Sequence, residues 1–252
     1  MMNKTLIYII FFTTLFAFTS SAQEVGDDYG KSILRKEWNG FFMLHSHGWG
    51  GGYRKGLQKN LLRKNYYEFE FNTIKHDKEL KGRNPYFTSA KSFSYGKMNR
   101  LSTIRAGIGT QKVLNQKPYW GGTEVRYFYY GGFSLGLTSP VYLYILKLDT
   151  AYFLPIINVE KYDPLQHDLD NIYGGGPFGK GWFEITPHPG AYLKAGLSFE
   201  FGTNERSVKA LEAGALIDIY PYPIQLMAFN PKQYYFFSFY LSIHLGSRYD
   251  YY

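Results

Sequence analysis

From Tyr234 to Arg248 the chain reads YYFFSFYLSIHLGSR. Phe237, Phe239, Leu241, Ile243 and Leu245 take alternate positions, with Ser238, Tyr240, Ser242, His244, Gly246 and Arg248 between them. Successive side chains of a β-strand point to opposite faces, so one face here is wholly apolar and the other is polar and charged. A strand that separates lipid from a polar interior needs about 9 to 11 residues of such alternation. Tyr249, Tyr251 and Tyr252 follow. An aromatic-tipped final strand is what bacterial barrels present to their insertion machinery, and a soluble β-sandwich, the competing architecture, has no need of one.

The same alternation recurs upstream. Leu193, Ala195, Leu197, Phe199 and Phe201 oppose Tyr192, Lys194, Gly196, Ser198 and Glu200. Leu211, Ala213, Ala215, Ile217 and Ile219 oppose Glu212, Gly214, Leu216 and Asp218, and the turn 203–206 is short enough for a tight hairpin. Val125, Tyr127, Tyr129, Phe133, Leu135 and Leu137 alternate with Glu124, Arg126, Phe128, Tyr130 and Ser134. Ile104, Ala106 and Ile108 flank Arg105, and Tyr67, Phe69 and Phe71 flank Glu68 and Glu70. Weaker strands near Gly40–Trp49 and Val141–Leu148 bring the number to eight. The fold class is therefore all-β: a transmembrane antiparallel β-barrel of eight strands, with ten as the alternative. An even number puts both chain ends in the periplasm. Connections 57–64, 115–121, 151–189 and 221–232 then face outward. Those at 139–140 and 203–206 face inward, as does a long basic connection at 75–100.

Composition agrees with this reading. Aromatic residues make up 20% of the 252, with 25 Tyr and 21 Phe, yet mean hydropathy is only −0.30. Alternation halves the apolar content of each strand, and aromatic girdles mark both membrane interfaces. At the amino terminus, Lys4, the apolar run Leu6–Phe18 and the small residues Ser20-Ser21-Ala22 form a cleavable signal peptide. The run is too short for a membrane helix, which needs about 20 residues. The expected division is a signal peptide over 1–22, a periplasmic tail over 23–37, and a barrel over 38–252 with a long loop near 151–189. The chain has no cysteine, which rules out a lipoprotein anchor, a thiol nucleophile and a cysteine metal site. Net charge is +8, of which Lys4 supplies one. For an exported chain this suits anionic lipid and lipopolysaccharide better than nucleic acid, which is not an expected partner.

Eight strands leave a lumen that side chains fill, whereas a channel takes about 16 to 18. The inward positions carry Glu68, Glu70, Arg105, Glu124, Arg126, Lys194, Glu200, Glu212, Asp218 and Arg248. Mixed charge in a narrow lumen implies a salt-bridged plug, because charges removed from water need partners. The interleaved glycines make room for large inward neighbours.

His45 and His47, spaced to share a strand face, and His244 are the candidates for catalysis or metal binding. No Ser-His-acid motif fixes them as an enzyme centre, and no metal or cofactor is expected. The long connection holds Tyr162, Asp163, His167, Asp168, Asp170 and Asn171. Loops of that length bind or cover something, and a partner-contact role is preferred here to a ligand site. The segment lacks the ligand pattern of an EF-hand, and the glycines at 174–176 lack the lysine of a phosphate loop.

GTEVRYF at Gly122–Phe128, Tyr162-Asp163-Pro164, Asp170-Asn171-Ile172-Tyr173-Gly174 and Ala210-Leu211-Glu212 resemble a group of small Bacteroidota outer-membrane barrel proteins. The signal ending in Ser-Ala-Gln is similar in style to exports of that phylum. The resemblance implies the outer membrane of a Gram-negative bacterium and supplies no active-site residues. The expected function is a non-catalytic component of an envelope assembly working with other envelope proteins. A lipid A- or phospholipid-modifying enzyme and a narrow pore are the alternatives.

Overall fold

The computed structural model describes residues 36–60, 62–87, 89–116, 122–148, 155–177, 179–201 and 206–249. The signal peptide, its cleavage after Ala22 and nearly all of the tail lie outside them. The described residues form, in chain order, β1 (Lys36–His45), β2 (Gly48–Asn60), β3 (Arg63–Ile74), β4 (Lys81–Gly82), β5 (Phe93–Ser94), β6 (Asn99–Asn115) and β7 (Glu124–Pro140). There follow β8 (Tyr142–Leu148), β9 (Pro155–Lys161), β10 (Ile172–Gly175), a 3-10 turn (Trp182–Glu184), β11 (Thr186–Glu200), β12 (Ser207–Ile224) and β13 (Gln233–Tyr249). The first strand begins at Lys36, ahead of the boundary drawn at Trp38.

Eight strands close an antiparallel barrel in the order β1-β13-β12-β11-β7-β6-β3-β2, with β2 pairing back to β1. Its polarity is inverted relative to a water-soluble protein. Phe239 is 66% exposed and Leu193 59%, whereas Arg54, Arg105 and Lys194 on the inner face are at most 2% exposed. An apolar wall around a charged interior is the pattern of a membrane-spanning barrel, because only a closed sheet satisfies every backbone group in lipid.

The membership of the eight differs from the sequence reading in two places. The stretch Gly40–Trp49 is not one strand. The chain turns at Ser46-His47 and returns as β2, whose start is the glycine-rich Gly48-Trp49-Gly50-Gly51-Gly52. Glycine is needed there: a Cβ on Gly52 would lie 2.8 Å from Phe41 Cζ, and one on Gly56 2.5 Å from Tyr66 Cε1. The stretch Val141–Leu148, counted in the barrel, instead forms β8 of a separate three-stranded sheet with β9 and β10.

Adding a strand early and removing one later preserves the number and reverses the sides between them. Lys36 and Tyr249, paired in register, mark one end. The ends of β2 and β3 at Asn60 and Arg63, of β6 and β7 at Asn115 and Glu124, and of β11 and β12 at Glu200 and Ser207 lie at that end. The turn 46–47 and connections 75–98, 141–185 and 225–232 lie at the other. The basic segment 75–100, expected on the side of the termini, is on the opposite side, and so is the turn expected at 139–140. Segments 57–64 and 115–121 were expected to face away from the termini, but the strand ends that bound them, Asn60, Arg63, Asn115 and Glu124, are on the termini side.

The long connections fold into a cap. Phe93, Val141, Leu143, Ile145, Tyr162 and Ile172 form its core, with Met98 and Ala228 packed against it. Asn84 Nδ2 donates to the carbonyls of Leu169 (3.2 Å) and Ile172 (2.7 Å), Gly175 N to Lys91 O (3.0 Å) and Ala228 N to Gly96 O (2.7 Å). Beneath it Ile74, Leu101, Tyr220, Ile224, Leu226, Met227 and Phe236 close the mouth of the barrel with apolar side chains.

Candidate functional site

Two places could carry function: the charged lumen and the cap. In the lumen, inward positions of neighbouring strands come into register. Arg54 on β2 donates from Nε to Glu68 (2.8 Å) and from Nη1 to Glu212 (2.8 Å), and its guanidinium lies 4.5 Å from the Tyr130 ring centre. Lys194 bridges Glu68 (3.1 Å) and Glu70. Arg105 grips Asp218 with Nε (2.9 Å) and Nη2 (2.6 Å) and reaches Glu70 with Nη1 (3.1 Å), while Ser134 Oγ donates to Asp218 (2.8 Å). Towards the termini Glu37 accepts from Lys64 (2.6 Å), Arg248 (2.8 Å) and Tyr66 (2.7 Å). Arg248 also holds Glu200 (2.6 Å), and Arg126 holds Glu124 (2.6 Å).

All ten charged residues named from the sequence thus sit in the lumen. Reading the sequence missed Glu37, Arg54 and Lys64. Glu37 was assigned to the tail, Arg54 lies on β2, whose glycines hide the alternation, and Lys64 on β3 fell in the segment 57–64 read as a connection. The signal was present: Trp49, Tyr53 and Leu57 keep one phase, and Gly50, Gly52, Arg54 and Gly56 the other. Among the described residues, seven lumen carboxylates face six Lys and Arg side chains, and His244 stands 3.1 Å from Glu212. Buried pairs of this kind add little net stability, since desolvation offsets attraction, but each partner becomes indispensable to the other.

The histidines do not converge. His45 pairs with Tyr240 across the β1–β13 seam and His244 with Phe41, which sets them roughly 13 Å apart along the strand. His47 leaves the shared face for the turn, where Nδ1 lies 2.8 Å from Ser238 Oγ and Nε2 3.0 Å from Asp77. Ser242, His244 and Glu212 superficially suggest a hydrolase triad. However, Ser242 Oγ (2.9 Å) and Glu212 Oε2 (3.1 Å) meet the same nitrogen, Nε2, and Nδ1 faces Asn39 Oδ1 (3.1 Å). A triad base needs its two nitrogens divided between nucleophile and acid. His244, Ser242 and Glu212 are each at most 2% exposed, out of reach of a substrate.

In the cap, the residues named for partner binding divide between interior and surface. Tyr162 and His167 are buried. Tyr162 packs edge-on to Tyr95 at 6.4 Å, and burial pushes its hydroxyl up to about 12. His167 Nδ1 accepts from Asp163 N (3.0 Å), so its proton is on Nε2, 3.5 Å from Glu160. Glu160 is held below the usual carboxylate range by its hydrogen bond to Lys147. Asp163 Oδ1 accepts from Leu165 N (3.0 Å), and Asn171 Nδ2 donates to Gln166 O (2.9 Å), tightening the turn. Asp168 and Asp170 point outward beside Leu165, which is 93% exposed.

No protein-family model and no curated protein matches the sequence. Among solved structures, the chain is similar to Ail, the attachment invasion locus protein of Yersinia pestis, at 8% identity and a TM-score of 0.42, over 86% of this chain and 100% of that one. A second structure of Ail, in complex with the heparin analogue sucrose octasulfate, matches at 7% identity and 0.42 over the same shares. Neisserial surface protein A matches at 10% identity and a TM-score of 0.38, over 86% of this chain and 98% of that one.

Proposed function

We propose that this chain, exported by its signal peptide, is a non-catalytic barrel of a Gram-negative outer membrane. There it serves as a structural or accessory component of an envelope assembly such as protein insertion, secretion or surface export. Lipid and lipopolysaccharide surround the wall, and other envelope proteins dock on the cap. The observation that carries the reading is a pinned cap that displays large apolar side chains: Leu80 is 81% exposed, Tyr86 75%, Leu165 93%, and Phe183 fully. Exposed apolar groups on an ordered backbone mark interaction surfaces. Paired lumen charges and the enclosure of His244 favour this reading over the pore and the lipid-modifying enzyme.

The test is extraction in mild detergent with quantification of co-purifying proteins. A stoichiometric companion is expected, and it should be lost from a Leu165→Asp/Phe183→Asp variant whose barrel still runs as a folded species. Recovery only as a lone monomer, with an unaltered envelope on deletion, would refute the proposal.

A further inference from the structure

On the outer wall at the cap end, the register sets two rows one above the other. Trp49, Thr73, Ser102 and Leu137 face outward side by side on β2, β3, β6 and β7. They form the upper edge of the apolar wall that continues below through Phe71, Ile104 and Leu135. Immediately above them the outward positions turn cationic, with Lys75 and Arg100. The cap overhangs this rim and encloses a groove of about 540 Å³ whose lining includes Trp49 and Phe71 from the wall, Lys75 and Arg100 from the rim, and Lys81 and Lys91 from the cap.

Those four cations have no acidic partner among the described residues, and three of them are exposed. The one carboxylate in the groove, Glu79, is taken by Lys97 at 2.6 Å. Lys97 is held below the usual lysine range, first by burial and then by repulsion from Arg100 and Lys75, against the pull of Glu79. Residues 75–100 carry seven Lys and Arg against two acidic residues. Much of the chain's positive charge is thus gathered in one connection.

We infer that this groove binds the phosphorylated headgroup of a membrane lipid, the acyl chains lying against Trp49, Phe71 and their apolar neighbours. The wall residues in the lining decide the occupant. A soluble anion has no use for the apolar half of the groove, and a protein partner would have to enter from within the leaflet. The number of free cations fits a headgroup with more than one phosphate. The site rests on the membrane placement proposed above and is independent of any protein companion.

The full-length chain in a zwitterionic detergent is titrated with diphosphoryl lipid A, monophosphoryl lipid A, phosphatidylcholine and inorganic phosphate. Binding is read by native mass spectrometry and by the thermal midpoint of the folded barrel. The diphosphorylated lipid should bind best and raise the midpoint, the monophosphorylated one less, and the other two negligibly. Each cation near an anionic headgroup contributes about fivefold to affinity. A Lys81→Gln/Lys91→Gln/Arg100→Gln variant should therefore bind about a hundredfold more weakly. Lys91→Gln alone, an exposed change that leaves folding intact, should bind about fivefold more weakly. Equal binding by these variants, or a response to inorganic phosphate equal to that of the lipid, would overturn the assignment. Loss of lipid with companions retained, or the reverse, separates this site from the protein-docking role.

Discussion

Replacing Arg54 by Met keeps most of the side-chain volume and removes the charge at the centre of the lumen. Glu68 would retain Lys194 and a long contact from Tyr192, and Glu212 would retain His244 and Gln111 (2.9 Å). One carboxylate charge would nevertheless be left without compensation among fully buried neighbours. Breaking a buried pair from one side costs about 3–5 kcal/mol. Loss of the guanidinium over Tyr130 adds to this, since a desolvated cation–π contact contributes about 2 kcal/mol, and the apolar contacts of Met recover part of it. A net loss of about 3–5 kcal/mol is expected in reversible urea unfolding of the barrel in thin lipid bilayers, followed by tryptophan fluorescence. Glu212→Gln in the same chain should restore part of the loss, with a coupling of about 1–3 kcal/mol. A single variant within about 1 kcal/mol of wild type, strictly additive with Glu212→Gln, would refute a dry, paired plug and imply a hydrated lumen.

Gly56→Ala should cost about 1–3 kcal/mol in the same measurement, because its Cβ would meet the Tyr66 ring. As the chain has no cysteine, single cysteines report sidedness cleanly. Leu165→Cys should react with a membrane-impermeant maleimide on intact cells, and Arg206→Cys only after permeabilisation; the reverse result would invert the barrel. Tyr162 keeps its proton to about pH 12 in the folded cap, against about 10 when unfolded. The folded state therefore binds more protons between those values, and cap stability is complete below pH 10 and declines as pH rises towards 12. The 295 nm absorbance difference between wild type and Tyr162→Phe should show a transition near pH 12, and one near pH 10 would contradict the burial.

The parts of the fold legible in the sequence were those where lipid and lumen impose opposite chemistry on successive residues. In β11, β12 and β13 every second side chain must be apolar, and the pattern survives without tertiary information. It failed in β2, where inner positions are glycine because Phe41 and Tyr66 from neighbouring strands occupy the space. That requirement belongs to the partner strands and cannot be read locally. In β8 it failed for the opposite reason. Tyr142, Leu143, Tyr144, Ile145 and Leu146 have strand-like composition, but Leu143 and Ile145 bury in the cap core and not against lipid. Ten of the lumen charges followed from phase alone, while Glu37, Arg54 and Lys64 did not. The cationic groove did not, because Lys75, Arg100 and Lys81 come together only once the side of the basic connection is known.

The seam between β1 and β13 gives the lumen charges a role in assembly. Glu37–Arg248, Arg54–Glu212 and His244–Asn39 each join one of the first two strands to one of the last two, and Phe41 stacks on His244 at 4.6 Å. None of them can form while the sheet is an open ribbon, when the same groups still keep their water. Ring closure and dehydration of the interior are therefore one event, placed late because it joins the most distant parts of the chain. The barrier to insertion should accordingly fall at closure, and a chain truncated before β13 should stall as a hydrated sheet with both edges still unpaired.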